Sequence, residues 1–278
     1  SAASDVYKRQ PQNIYRVWVK SQYDIEDGER TSSYRAVEQQ LYDSLHRMHT
    51  EIFFNPETKY PESYNWHVFD GKNKIKSEFY LKEQLRRVEE YAYDASGNLV
   101  QLILSKPEND NLTKELTVNY TYDSNKVKSA IGYDGKGKKA FKVKYKYDDR
   151  GTEIARKTST LFMSGDGVPP DSILKLSRVP SYDEKGNIMQ EELSIKYHNK
   201  PDVQEVRKYS YDEKDNITEK IIANPSGDTI KRIEYTYRSK DNRKQLVSHF
   251  DGNGNLTAVY AWRYEIYKTP DRKTRVFE

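Results

Sequence analysis

Apolar and polar residues alternate along most of the chain. From Lys142 to Tyr147, Val143 and the two tyrosines fall on one side and the lysines on the other. A period of two residues is that of a half-buried β-strand. The longest nearly apolar run, Leu99 to Leu104, is far shorter than the ~20 residues of a membrane-spanning helix. The pattern therefore predicts many short strands and no membrane span in this segment.

Residues 34–48 are ambiguous, because their apolar positions also fit one face of a helix. Val37, however, lies six residues before Asp43, as Val88 lies six residues before Asp94. Asp94 belongs to a turn motif that recurs along the chain, and the shared spacing places residues 34–48 in the same repeat. This alignment favours a strand.

A Tyr-Asp turn recurs at intervals of 24 to 35 residues. Its Asp positions are Asp43, Asp70, Asp94, Asp123, Asp148, Asp183 and Asp212, and Arg238 takes the eighth position. Chemically different Pro/Gly turns lie midway in most intervals, at Asn55-Pro56, Pro107, Gly135, Pro201, Pro225 and Gly252. Side-chain bonding by Asp and the positive φ of Gly suit both to tight turns. The spacing predicts a meander of antiparallel hairpins, with the Tyr-Asp turns on one edge and the Pro/Gly turns on the other.

The best copies of the motif carry a family resemblance. They are Tyr91 to Leu99 (YAYDASGNL), Tyr145 to Gly151 (YKYDDRG), Tyr182 to Ile188 (YDEKGNI) and Tyr209 to Ile217 (YSYDEKDNI). The motif resembles the YD repeat of RHS-type proteins, large bacterial surface and toxin-associated β-structures. In three copies the Gly of the motif is replaced, by His46, Asn73 and Asn125, and in another copy its Asp is replaced by Arg238. The resemblance covers most of residues 34–260 and implies strands that spiral into a hollow shell.

The predicted fold class is all-β: an antiparallel meander of YD-type hairpins that forms an elongated, twisted or curled sheet. We expect the repeat domain at 34–267, an N-terminal strand and loop at 11–33, and a C-terminal tail at 268–278. Residues 1–10, SAASDVYKRQ, resemble a translated sequencing adapter. We therefore expect that they are foreign and that a targeting signal was lost upstream of Pro11.

Composition limits the core and the chemistry. The chain has 24 Tyr against 8 Phe and 3 Trp, and it is 35% hydrophobic and 32% charged, which predicts no thick two-layered core. Its net charge of +4, with both signs interspersed, argues against a dedicated polyanion binder and against a nucleic-acid partner. The absence of Cys excludes disulfides, thiolate metal sites and cysteine nucleophiles.

No motif points to catalysis or to a cofactor. On a helix, His46 and His49 would lie on one face and could bind a metal, with His67 further along the chain. On a strand, only His49 and Glu51 would converge. We expect polar residues beside a turn and no metal site. Residues 251–255, DGNGN, start like a calcium loop, but Trp262 stands where the bidentate Glu belongs, so a hairpin turn is expected. No phosphate loop, nucleophile elbow or Ser-His-Asp set is recognisable, and we predict a non-enzyme.

Two aromatic clusters are the candidate ligand-binding residues. Tyr260, Trp262 and Tyr264 would lie on one face of a strand, and Tyr64 and Trp66 belong to the second cluster. Such rings could form a stacking platform for a sugar or a peptide, or could cover the end of the sheet. The longest interval contains an insertion at 163–171, which we expect to project as a loop.

The predicted function is that of a non-enzymatic, extracytoplasmic bacterial β-repeat protein, in the periplasm or at the cell surface. It would act as a binding or scaffold module for a polysaccharide or a protein. The alternative is a fragment of a larger RHS-like protein whose β-shell encapsulates a toxin domain.

Overall fold

The computed structural model describes residues 16–109, 111–160, 173–198 and 200–266. These residues form β-strands joined by turns, and no described helix is long and apolar enough to cross a membrane. The insertion at 163–171, the adapter-like residues 1–10 and the tail at 268–278 lie outside the described residues. The strands are β1 (Arg16–Glu26), β2 (Glu29–Tyr42), β3 (Met48–Phe54), β4 (Pro61–Asp70), β5 (Asn73–Leu81), β6 (Gln84–Tyr93), β7 (Leu99–Glu108), β8 (Asn111–Asp123), β9 (Lys126–Asp134), β10 (Lys139–Tyr147), β11 (Glu153–Thr160), β12 (Ile173–Tyr182), β13 (Ile188–Tyr197), β14 (Val203–Tyr211), β15 (Ile217–Ala223), β16 (Thr229–Tyr237), β17 (Lys244–Asp251) and β18 (Leu256–Ile266).

The meander closes on itself. Each strand pairs antiparallel with the next, and β1 also pairs with β18, from Arg16 opposite Ile266 to Tyr23 opposite Val259. The antiparallel meander is confirmed, but the sheet is a closed 18-stranded barrel and not an elongated open one. Closure pairs the two outermost strands and so removes the exposed sheet edges. Alternation along single strands carries no information about this long-range pairing.

The predicted strand at residues 34–48 is confirmed as far as Tyr42, where β2 ends and the turn at Asp43 begins. The eight Tyr-Asp turns join β2 to β3, β4 to β5 and so on to β16 and β17, so they all lie on one edge. The intervening turns that the structure describes lie on the other edge, as the spacing predicted. Residues 251–255 form the hairpin turn between β17 and β18.

The wall has two faces, which we name after residues of β1. Residues paired directly across an antiparallel ladder share a face, and the registers run consistently round the ring. The Val17 face is buried over β1–β5, where a cluster contains Val17, Val19, Leu41, Ile52, Tyr64 and Tyr80. The Trp18 face is buried further along, in clusters of Val118, Ala130 and Val143 and of Leu176, Leu193 and Ile195. The described wall therefore has small hydrophobic clusters, some on each face, instead of a single thick core.

The Asp side chain organises each Tyr-Asp turn. At Asp94, Oδ1 accepts hydrogen bonds from the Ser96 and Asn98 N–H groups, both 2.9 Å long. The Asp94 N–H donates to the Asn98 carbonyl, and Gly97, which donates to the Asp94 carbonyl, has φ +83°. The carboxylate thus binds donors that the tight turn leaves unpaired.

This pattern is shared by both edges of the barrel. A side-chain oxygen accepts the N–H four residues on at Asp43, Asp94, Asp134, Asp148, Asp183, Asp212, Asn224 and Asp251. Because Asp134, Asn224 and Asp251 belong to the midway turns, those three are not chemically different from the Tyr-Asp turns. Their Gly residues perform the same task in both sets, since Gly adopts the required positive φ without strain.

Six tyrosines near strand ends bond to the strand before their own. The hydroxyl groups donate at 2.8 to 3.0 Å to a backbone carbonyl at the start of the preceding strand. The pairs are Tyr93 to Lys74, Tyr122 to Leu99, Tyr147 to Val127, Tyr211 to Ile188, Tyr237 to Ile217 and Tyr264 to Lys244. Each tyrosine therefore packs its ring on the wall and satisfies a carbonyl beside the neighbouring turn.

We expect Asp43→Ala to destabilise the protein by about 2–4 kcal/mol at neutral pH. Asp43 is 8% exposed, and it accepts the N–H groups of Leu45 and Arg47 and the Arg47 Nε at 2.7 Å. Burial alone would raise the pKa of this carboxyl, but the hydrogen bonds from Arg47 lower it below its usual value. Because the folded pKa is depressed, the stabilisation is present above the ordinary pKa and is lost as the pH falls through the folded value.

The measurement is urea unfolding at neutral pH and near pH 3. The control is Asp70→Ala, since Asp70 holds the same motif position but lies exposed at the end of β4, just before a two-residue turn. Equal losses of stability in the two variants at neutral pH would contradict the role given to the Asp43 carboxylate.

Candidate functional site

Five aromatic side chains gather on the Trp18 face where the barrel closes. This aromatic patch consists of Trp18, Tyr42, Tyr260, Trp262 and Tyr264, all of them partly exposed. The Trp18 ring centroid lies 4.7 Å from that of Tyr42 and 5.2 Å from that of Tyr264. The register produces this arrangement, because Trp18 on β1 pairs with Tyr264 on β18. The patch exists only because β1 and β18 are neighbours.

Cations lie over several of these rings. Lys20 Nζ is 4.7 Å from the Tyr260 centroid and 5.6 Å from the Trp262 centroid, and the Arg16 guanidinium is 5.9 Å from Trp18. Contacts of this kind contribute roughly 0.5–1 kcal/mol at exposed positions. They hold the indole and phenol rings in place while leaving part of each ring accessible.

A row of polar side chains continues the patch across β2, β3 and β4. Gln40, Glu51 and Asn65 pair directly across the ladder, and we call them the polar row. Asn65 Nδ2 donates to Glu51 Oε2 at 2.9 Å, and the Tyr42 hydroxyl donates to Gln40 Oε1 at 2.6 Å. Burial, followed by the charges of Glu51 and Glu38, raises the pKa of Tyr42 to about 12, so its hydroxyl stays protonated. Aromatic rings and planar hydrogen-bonding groups are thus contiguous on one face.

The predicted aromatic residues divide between the two faces. Tyr260, Trp262 and Tyr264 share the Trp18 face, and Ala261 and Arg263 point to the other, as the alternation predicted.

Tyr64 and Trp66 lie on the Val17 face, where Tyr64 is 4% exposed and stacks on Tyr80 at 4.6 Å. Tyr64 is therefore a core residue, and this second cluster cannot join the first. Sequence reasoning missed Trp18 and Tyr42, whose contact with Tyr264 depends on the closure of the ring.

A small cavity of about 240 Å³ lies beside the polar row and is lined by Glu51, Asn65, His67, Ser77 and Glu89, among others. His67 is 6% exposed, and its Nδ1 lies 2.8 Å from the Ser77 hydroxyl. That hydroxyl lies 3.3 Å from the Tyr91 hydroxyl, which donates to Glu89. Burial, followed by the charge of Lys74, lowers the pKa of His67 to about 4.

The histidines do not converge on one point. His49 Nε2 lies 3.2 Å from Asp43 Oδ2 and its Nδ1 lies 3.1 Å from the His67 carbonyl, whereas Glu51 binds Asn65. His46 is in the turn, with φ +62°. Within the described part of the chain, no group of three or more His, Asp or Glu residues could hold a metal ion.

Comparison with known proteins gives no family. No protein-family model and no curated protein matches the chain. Among solved structures, it is similar to a porin-like protein from Bacteroides uniformis, with 10% identity over 91% of this chain and 98% of that chain, at a TM-score of 0.41. A porin-like protein from Bacteroides vulgatus shows 8% identity, the same coverage and a TM-score of 0.34.

The chain is also similar to part of the TcdB2-TccC3-Cdc42 complex, with 11% identity over 87% of this chain and 17% of that chain, at a TM-score of 0.34. Since none of these similarities assigns a family, the YD repeat remains a resemblance of turn motifs. Function has to be inferred from the side chains.

His67 gives a prediction of pH dependence. The unfolded chain binds its proton near pH 6.5 and the folded protein only near pH 4, so the unfolded state holds more protons between these values. Stability should therefore fall as the pH drops from about 6.5 to 4, by about 3 kcal/mol from this residue. His67→Gln should flatten the profile in that window, measured by urea unfolding across the pH series.

His198→Gln is the control, because His198 is an exposed residue on the far side of the ring. A His67→Gln variant that keeps the full pH dependence of the parent would rule out this account of His67.

Proposed function

We propose that the chain is a non-enzymatic, extracytoplasmic carbohydrate-binding protein whose ligand lies on the Trp18 face. The observation that supports it is the partly exposed aromatic patch running directly into the polar row. Sugar rings stack their C–H faces on aromatic side chains, and their hydroxyls bond to carboxylates and amides. From β18 to β4 the two groups of residues span four inter-strand spacings, or about 19 Å. That length accommodates several sugar units.

The properties of His67 and Ser77 agree with the absence of recognisable catalytic motifs in the sequence. They form a Ser-His pair at 2.8 Å, but a histidine with a pKa of about 4 is a weak general base at neutral pH. Both residues are buried. These properties support a structural pair and a binding function.

Charges on both faces support a wall that contacts water on both sides. Lys20 and Glu51 lie in mid-strand on the Trp18 face, and Lys144 and Lys157 lie on the Val17 face. A barrel embedded in lipid carries a continuous apolar band about 25 Å tall on its outer side. Neither face of the described strands offers such a band round the ring, which supports an aqueous extracytoplasmic compartment.

The alternative, a shell around a toxin domain, has one observation in its favour. A closed barrel of 18 strands is wide enough to enclose an aqueous lumen. The pairing of β1 with β18, however, occupies the edges from which a spiral wall would have to continue. This pairing supports a binding protein over a spiral shell.

Trp262→Ala should abolish retardation of the protein in affinity gels that contain the polysaccharide it binds, chosen from xylan, mannan, glucan and galactan. The indole is partly exposed, so its removal should cost clearly less than the ~3–5 kcal/mol of a buried aromatic residue. Trp66→Ala is the matched control, because Trp66 is also partly buried but lies on the Val17 face.

If Trp262→Ala binds as the parent does, or if its main effect is a large loss of melting temperature, the rings are a cap on the sheet. Retardation lost equally in Trp66→Ala would likewise exclude a site on the Trp18 face.

A further inference from the structure

Four lysines form a row across the Val17 face, on the far side of the ring from the aromatic patch. Lys144 on β10 pairs directly with Lys157, Lys157 with Lys175, and Lys175 with Lys196 on β13. All four are exposed. Lys142 and Lys146 flank Lys144 on the same face of β10. We call these six residues the lysine patch, and its central row is about 14 Å long, from the spacing of strands.

The row is unfavourable for folding, because like charges placed directly opposite on neighbouring strands repel each other. Several charged strand residues elsewhere are paired: Lys20 with Glu38, Lys76 with Glu78 and Arg156 with Glu153. No lysine of the patch forms an ion pair with a described residue. The repulsion has no compensation within the described wall.

Carboxylates are nearly absent from this surface. Among the described residues of β9–β13, Glu192 is the one acidic residue on the Val17 face, and it lies opposite Val179. It is four residues from Lys196, or about 13 Å along the strand. The neighbours of the row are Ser129, Ser159, Ser177 and Ser194. The surface therefore combines an uncompensated positive charge with neutral hydroxyl groups.

We infer that the lysine patch is a second binding site, which takes an acidic polysaccharide with a carboxylate on each sugar, such as a polyuronate. A linear chain lying across the strands would place successive carboxylates along the lysine row, and the serine hydroxyls would bond to its hydroxyls. Binding would remove the repulsion between the lysines. The net charge of +4 does not reveal the site, because acidic residues elsewhere cancel the count but not the local field.

The composition of the patch favours a polysaccharide over two other polyanions. Single-stranded nucleic acids are held largely by stacking of bases on aromatic rings, and the patch contains none. Membrane-surface binding combines basic residues with apolar side chains that enter the lipid. The residues beside the central lysines are serines and Ala155, and Ile131, opposite Lys142, is only partly exposed. The site lies on the face opposite the aromatic patch, so it is independent of the proposed function.

The test is fluorescence anisotropy with a labelled oligogalacturonate, titrated at several salt concentrations. Lys144→Gln, Lys157→Gln, Lys175→Gln and Lys196→Gln combined should weaken binding by about tenfold or more at low salt and make its salt dependence shallower. The combined variant should melt at or above the temperature of the parent, because repulsion is removed. The fully methyl-esterified oligomer, which is neutral, should not bind at the lysine patch, so any affinity for it should be the same in both proteins.

The matched control removes four exposed charges outside the patch: Lys59→Gln, Lys72→Gln, Lys214→Gln and Lys240→Gln. This variant should bind the oligogalacturonate with an affinity within about twofold of the parent's. Its net charge changes, but the local contacts at the lysine patch do not. Trp262→Ala should bind the oligogalacturonate as the parent does. This result would distinguish the lysine patch from the proposed site on the Trp18 face.

Several results would overturn the inference. They are equal losses in the two four-lysine variants, no binding of the acidic oligomer by the parent at low salt, and tighter binding of phosphatidylserine vesicles or duplex DNA than of the oligomer.

Discussion

The hydrogen bonds of the turn carboxylates are the constraint on which this structure depends. Each holds a five-residue turn by accepting an N–H two residues on, four residues on, or both, as at Asp94 and Asp183. The turn sets the register of the hairpin, and a shift of one residue would move every side chain to the opposite face. The aromatic patch and the lysine row both consist of residues matched across several strands. The Asp148 and Asp183 turns fix the β10–β11 and β12–β13 registers of the lysine row, whereas the aromatic patch depends on the pairing of β1 with β18.

Tyrosine extends that local order from one hairpin to the next. The hydroxyl of Tyr211, for example, donates to the Ile188 carbonyl, beside the preceding turn. Phenylalanine could supply the ring but not the donor, which gives a physical reason for the excess of Tyr over Phe in this chain. Contacts of this kind join nearest neighbours, as in repeat proteins, where stability is a sum over units and their interfaces. The pairing of β1 with β18 adds a long-range term, because it joins the two ends of the array.

Much of the fold could be predicted from the sequence, because its determinants are local. The alternation around Val143, the spacing of Asp43 from Val37 and the turn residues gave the strands, their order and the two edges. Closure could not be predicted, since it rests on pairs such as Trp18 with Tyr264 that are distant in sequence. For the same reason the alternation identified Trp262 and its neighbours but not Trp18 or Tyr42. The lysine row was also hidden, because the intervals from Lys144 to Lys157, Lys175 and Lys196 are unequal.

The two candidate surfaces differ in what they require of the fold. The aromatic patch joins residues from β18, β1 and β2, so it is formed by closure and would be divided if β1 and β18 separated. The lysine row uses consecutive strands, β10–β13, and needs only the local registers. It also opposes folding, since its charges repel one another, whereas the rings of the patch pack against each other and against Lys20. A feature that packing explains is weak evidence for a ligand, and one that packing disfavours is stronger evidence. On this ground the lysine row indicates a ligand more strongly than the aromatic patch does, although the sequence alone does not show that its four lysines are neighbours.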